Sequence, residues 1–177
     1  MKPGNILLPI DITACSPEAF TFVNRLVASA GMATVTLLNV VHLNVWVPEN
    51  RLYIETAREA GESLLRLGEK FLDPRVVVRV CVRSGKPAEG ILDEAGSSVA
   101  DLIVMTSVER SSRPFRFLRA PILETVLKFA PCPVSVVRVR NRIDFTMHPR
   151  PAAVIPSMQP VLLPSSSWTA LPCPAQR

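Results

Sequence analysis

Glycine is scarce in this chain and vanishes after Gly96, although phosphate-binding turns rely on it to bring bare backbone N–H groups up to phosphate oxygens at a helix start. Aromatic residues are few, at 6%, and no basic stretch is interleaved with them, which argues against a nucleic-acid surface. The four cysteines (Cys15, Cys81, Cys132, Cys173) form no CxxC pair, and His42 and His148 are the only histidines. Neither a structural zinc site, nor a thioredoxin-like motif, nor a two-histidine metal site is indicated, and the cysteines read as reduced thiols of a cytoplasmic protein. No apolar run approaches the roughly 18 residues of a membrane span. The run Ile6 to Ile10, broken by Pro9 and closed by Asp11, is too short for a secretory signal.

What is present is enough for one domain with an appendage: 177 residues, 48% of them apolar. Residues 1 to 137 carry 15 Lys/Arg against 14 Asp/Glu, and residues 138 to 177 carry 5 against 1, so the net charge of +5 sits mainly in the C-terminal part. Short apolar runs alternate with helical periodicity, the pattern of βαβ units around a mainly parallel sheet. Five strands are expected: Asn5 to Ile10, Thr34 to Val41, Val76 to Val82, Asp101 to Thr106 and Pro133 to Val139. All are rich in Val, Ile and Leu, as strands buried on both faces are.

Four helices separate them. The first starts with Ser16 as N-cap and Pro17 at N1, places Phe20, Val23, Val27 and Ala30 on one face, and ends at Gly31. The second, from about Leu52 to Leu72, puts Ala57, Ala60, Leu64, Leu67 and Phe71 on its stripe. A third begins at Pro87 with Ile91, Leu92 and Ala95 inward, and a fourth follows Pro121 with Ile122, Val126, Leu127 and Phe129 before Pro131 stops it. Right-handed crossovers then give an α/β fold, an open five-stranded parallel sheet of order 3-2-1-4-5 with helices on both faces.

In such a sheet ligands bind where the strand order reverses, beyond strands 1 and 4. Pro9, Ile10 and Asp11 meet Met105, Thr106 and Ser107 there, with Val41 at the end of strand 2. Asp11 has two readings, a ligand contact in that crevice or a carboxylate held by the N–H groups of the first helix. Cys15 lies at that helix's start without a cationic neighbour in sequence, and Asp93 and Glu94 point in different directions from their helix. No convergent acid, base or nucleophile marks an enzyme. Residues 1–140 form the domain and 141–177 a proline-rich tail, extended or docked. Its stretch from Phe145 to Arg177 holds seven prolines, and any order must come from docking of apolar residues such as Val154, Ile155, Val161 to Leu163 and Trp168.

The segments ILLPIDITACSPEAF, SGKPAEGILDEA, ADLIVMTS and APCPVSVVRV together resemble a universal stress protein, a family of small cytosolic domains related in fold to adenine-nucleotide α-hydrolases. ATP-binding members carry Gly, two residues, Gly, nine residues, Gly, then Ser or Thr after the fourth strand. The same frame here places Thr106, Glu109, Arg119 and Ala120 in those positions. Side chains penalise the backbone conformation glycine supplies, and Ala120 lacks a capping hydroxyl. Arg110, Arg113, Arg116 and Arg119 recur every third residue through the loop, and an arginine fork can grip phosphate without a backbone nest.

The resemblance therefore implies a non-enzymatic stress-response or regulatory module that acts through a protein partner and binds ATP weakly or not at all. The alternative is an ATP- or AMP-gated switch using Asp11 with Arg113, Arg116 or Arg119. It also implies a homodimer through antiparallel pairing of strand five, by Val134, Val136, Val137, Arg138 and Arg140. The tail could cover that edge instead. No cofactor is required, and neither nucleic acid nor membrane is an expected partner.

Overall fold

Burial on both faces of a central strand organises the architecture. The structure is a computed structural model that describes residues 3–13, 15–41, 50–108 and 120–139. Among them, five strands alternate with four helices: β1 Asn5–Pro9, α1 Pro17–Ala30, β2 Thr34–Val41, α2 Asn50–Phe71, β3 Val77–Ser84, α3 Pro87–Ser97, β4 Leu102–Val108, α4 Ala120–Phe129 and β5 Val134–Val139. The sheet order is β3-β2-β1-β4-β5 and every pairing is parallel, as expected from the apolar runs. No helix among the described residues is long and apolar enough to cross a membrane.

Alternation along the strands divides the core in two. Ile6 and Leu8 of β1 join Phe20, Val23 and Val27 of α1, Leu64 of α2 and Val35, Leu37 and Val104 on one face. Leu7 joins Leu38, Ile91, Ala95, Ile103 and Val126 on the other, against α3 and α4. Each large aliphatic side chain so buried contributes about 1.5–3 kcal/mol. At the lower end, both Gly4 N–H and Asn5 N–H donate to Asp101 Oδ2 at 2.9 Å, which ties the start of β1 to the start of β4.

Gly31, with φ 96°, ends α1 where the sequence placed its stop. The fourth helix departs from expectation. Among its described side chains only Val126 is fully buried, flanked by partly buried Ile122, Leu123 and Ala130, whereas Leu127 is 51% and Phe129 60% exposed. A ten-residue helix lays one stripe on the sheet, and Leu127 lies about 100° round from Val126. The Phe129 ring instead carries Lys128 Nζ, 5.1 Å from its centroid.

The end of α3 is strained. Ala100 N–H donates to Ala95 C=O and Val99 N–H to Gly96 C=O, a Schellman closure in which Val99, with φ 49°, holds the left-handed position usual for glycine. A β-branched residue costs roughly 1–2 kcal/mol in that conformation. Because Val99 is 74% exposed, little packing offsets the strain. Val99→Gly is expected to stabilise the fold by about 1 kcal/mol, read as a higher urea midpoint with unchanged slope.

Candidate functional site

β1 and β4 pair over only two positions, Ile6 with Leu102 and Leu7 with Ile103, whereas β1 follows β2 for five. Above that point the two central strands part, and a shallow depression opens between their carboxyl ends and the start of α1. Leu8, Pro9, Ile10 and Asp11 from the β1 exit, Cys15, Ser16, Ala19 and Phe20 from the α1 side, and Thr106 of β4 line it.

The β1 exit is held from β2. Ile10 N–H donates to Leu38 C=O at 2.7 Å, and the buried Asn39 side chain donates its Nδ2 to Ile10 C=O at 2.8 Å. Asp11 then turns the chain toward α1: its Oδ1 accepts from Thr13 N–H at 3.0 Å and from the Thr13 hydroxyl. This is an Asx turn, so these two bonds come from Thr13 and not from the first turn of α1. Ser16 is extended at the N-cap position, but its hydroxyl donates to Glu18 Oε2 at 2.6 Å and makes no cap to the backbone. A carboxylate in the first turn of the helix, two residues on, is the stronger acceptor available to it.

Two carboxylates therefore stand beside the depression. Their effect is visible on Cys15, whose thiol is pushed up to about 11. Burial is the main cause; the charges of Asp11 and Glu18 add to it, against a backbone hydrogen bond at Ser16 that lowers it. A thiol so placed stays protonated at neutral pH and is a poor nucleophile.

Of the residues expected at the switch point, Pro9, Ile10, Asp11 and Thr106 line the depression. Met105 points to the opposite face, into the α3 and α4 cluster, as strand alternation requires of Thr106's neighbour. Ser107 and Val41 are partly buried and outside the lining. Ala120 opens α4, while Glu109, Arg113, Arg116 and Arg119 lie outside the described residues. On β5, Val134 and Val137 are partly buried, Val136 and Arg138 are exposed, and Arg140 lies outside the described residues, as does the tail.

A second buried polar cluster sits apart from the depression. Glu94 Oε2 of α3 accepts from Arg83 Nε at 2.8 Å and Nη2 at 2.7 Å, and the Cys81 thiol donates to the same oxygen at 3.3 Å. Asp93 is exposed, so the two adjacent acids do diverge. Among the described residues no group of three His, Cys, Asp or Glu side chains could hold a metal ion.

The sequence profile of the Universal stress protein family matches residues 3–138. The chain belongs to that family. Solved structures agree in fold: hypothetical protein MJ0577 is 24% identical, with a TM-score of 0.64 over 80% of this chain and 99% of that one. The universal stress protein UspA from Lactobacillus plantarum is 25% identical, with a TM-score of 0.54 over 76% and 97%. A universal stress protein family protein from Arabidopsis thaliana, solved with AMP bound, is 18% identical, with a TM-score of 0.51 over 78% and 93%. No curated protein sequence matches the chain.

In this universal stress protein the crevice wall from α1 was the part the motifs did not announce. Cys15 just before the N-cap of α1, with Ala19 and Phe20 at the end of its first turn, is the signal that carries it. Asn39 gave no local signal, since its partner lies 29 residues away. Asn39→Leu leaves Ile10 C=O buried without that donor and is expected to cost about 1–3 kcal/mol in urea unfolding.

The shift at Cys15 has its own sign. The folded thiol holds its proton from its ordinary value near 9.0 up to about 11, so in that window the folded state binds more protons than the unfolded chain. The stability contributed is present below about pH 9 and is lost as pH rises toward 11. Cys15→Ala is expected to flatten that part of the stability profile, measured by urea unfolding from pH 8 to 11 against the unsubstituted chain.

Proposed function

We propose that this universal stress protein is a regulatory module without catalytic turnover, acting through a protein partner, whose crevice binds adenine nucleotide weakly or not at all. The observation that carries this reading is the pair of carboxylates, Asp11 and Glu18, beside the depression, with Asp11 already engaged by Thr13. Negative charge at a helix start opposes a phosphate that the helix dipole would otherwise attract. The loop frame supports the same reading, because Thr106, Glu109, Arg119 and Ala120 replace the residues that let backbone wrap phosphate oxygens. Cys15, pushed up to about 11 chiefly by burial, is not an activated thiol nucleophile.

AMP, bound by the Arabidopsis thaliana protein, makes adenine nucleotides the ligand class to test. Calorimetry with ATP and Mg²⁺ is expected to show no saturable binding below about millimolar concentration, a free energy of about −4 kcal/mol. Saturable micromolar binding that Asp11→Ala abolishes would overturn the reading in favour of the arginine-gripped switch. Steady release of phosphate from ATP by the pure chain, lost in the same variant, would overturn the non-catalytic assignment.

A further inference from the structure

β3 closes the sheet at the end away from β5 and, among the described residues, pairs only with β2. The pairing is parallel and runs without a bulge from Val77 to Ser84. Its ends fix which backbone groups it uses: Val77 N–H donates to Ala33 C=O, and Gly85 N–H to Val41 C=O, each at 3.1 Å. Both groups of a strand residue point to one edge and successive residues alternate, so Val77, Arg79, Cys81 and Arg83 direct theirs to β2. Val78, Val80, Val82 and Ser84 turn theirs outward, where no strand among the described residues takes them up.

The same alternation sorts the side chains. Val78, Val80 and Val82 are partly buried against the core layer that α2 covers. On the other face Cys81 is buried and Arg83 is bound to Glu94, while Val77, 53% exposed, and Arg79 stand open. Arg75 is bridged to Asp73, but Arg79 has no ion-pair partner among the described residues. Of the devices that blunt a sheet edge, β3 lacks proline, a bulge and short length; only its arginines discourage a neighbour, and only one of like charge.

We propose that the outer edge of β3 docks an extended segment of a partner protein in which apolar residues alternate with acidic ones. The inference rests on the reading that this chain acts through a protein partner, and names the chemistry of that partner. Such a strand pairs its backbone with Val78, Val80, Val82 and Ser84, lays its apolar side chains beside the valines and sets its carboxylates against Arg79.

Charge selects this occupant. A second copy added antiparallel, in a register centred on β3, brings Arg79 opposite or diagonal to an arginine of the other strand, which is unfavourable. Residues 138–177 of the chain itself carry 5 Lys/Arg against 1 Asp/Glu and are matched no better.

Nuclear magnetic resonance on the full chain tests the proposal with two capped peptides of about seven residues, close to the length of β3, one alternating valine with glutamate and the other valine with lysine. Without peptide, the amides of Val78, Val80 and Val82 are expected to exchange at least about tenfold faster than those of Arg79, Cys81 and Arg83. The glutamate peptide is expected to shift the outward amides saturably, to slow their exchange and to bind at least about threefold tighter than the lysine peptide. Arg79→Glu, at an exposed position, is expected to reverse that preference. Calorimetry with ATP reads the crevice and these amides read the sheet edge, so either reading can fail without the other. Outward amides already protected without peptide, no saturable shift, equal binding of the two peptides, or a preference that Arg79→Glu leaves unchanged would each overturn the docking site.

Discussion

The structure depends on β1 being buried on both faces at the centre of a parallel sheet. Ile6 and Leu8 supply one core layer and Leu7 the other, so a single strand serves both pairs of helices. Its two ends are fixed by polar contacts from neighbours, Asp101 on the backbone at the start and Asn39 on the Ile10 carbonyl at the exit. Because β1 stays with β2 while parting from β4, the exit and the depression beside it follow from the sheet itself. Substitutions that shift β1 would move the site without touching it.

The chemistry of that depression is set by what the chain puts at the beginning of α1. A helix start is ordinarily receptive to anions, but here Glu18 and the engaged Asp11 supply negative charge of the chain's own. The same charges, with burial, keep Cys15 protonated. A fold shared with an AMP-bound structure does not by itself give this chain a phosphate site, because fold and ligand are separate properties.

The strands, their order and the helix ends were legible because each rests on local pattern. Strands buried on both faces read as unbroken apolar runs, and Pro17, Gly31 and Pro131 punctuate the chain through their own backbone chemistry. Four features were not legible. Asn39, and the Arg83 and Glu94 pair with Cys81, act across the sheet on partners that no spacing reveals. Leu127 and Phe129 look like core residues but sit outside the stripe that α4 lays on the sheet. Val99 occupies a glycine-type position without glycine, so no sequence signal marks the turn. At the switch point, Asp11 and Thr106 were found from topology, while the direction of Met105 followed from alternation that only the exact register fixes.

We infer that the crevice between β1 and β4 does not hold a nucleotide's phosphates in its own backbone. Amide resonances of Asp11, Thr13, Thr106 and Ser107 followed by nuclear magnetic resonance during titration with ATP and Mg²⁺ address it at the atoms concerned. The account predicts small shifts that rise linearly to millimolar ligand without saturating. Large shifts at Thr106 and Ser107 that saturate at micromolar ATP would contradict it.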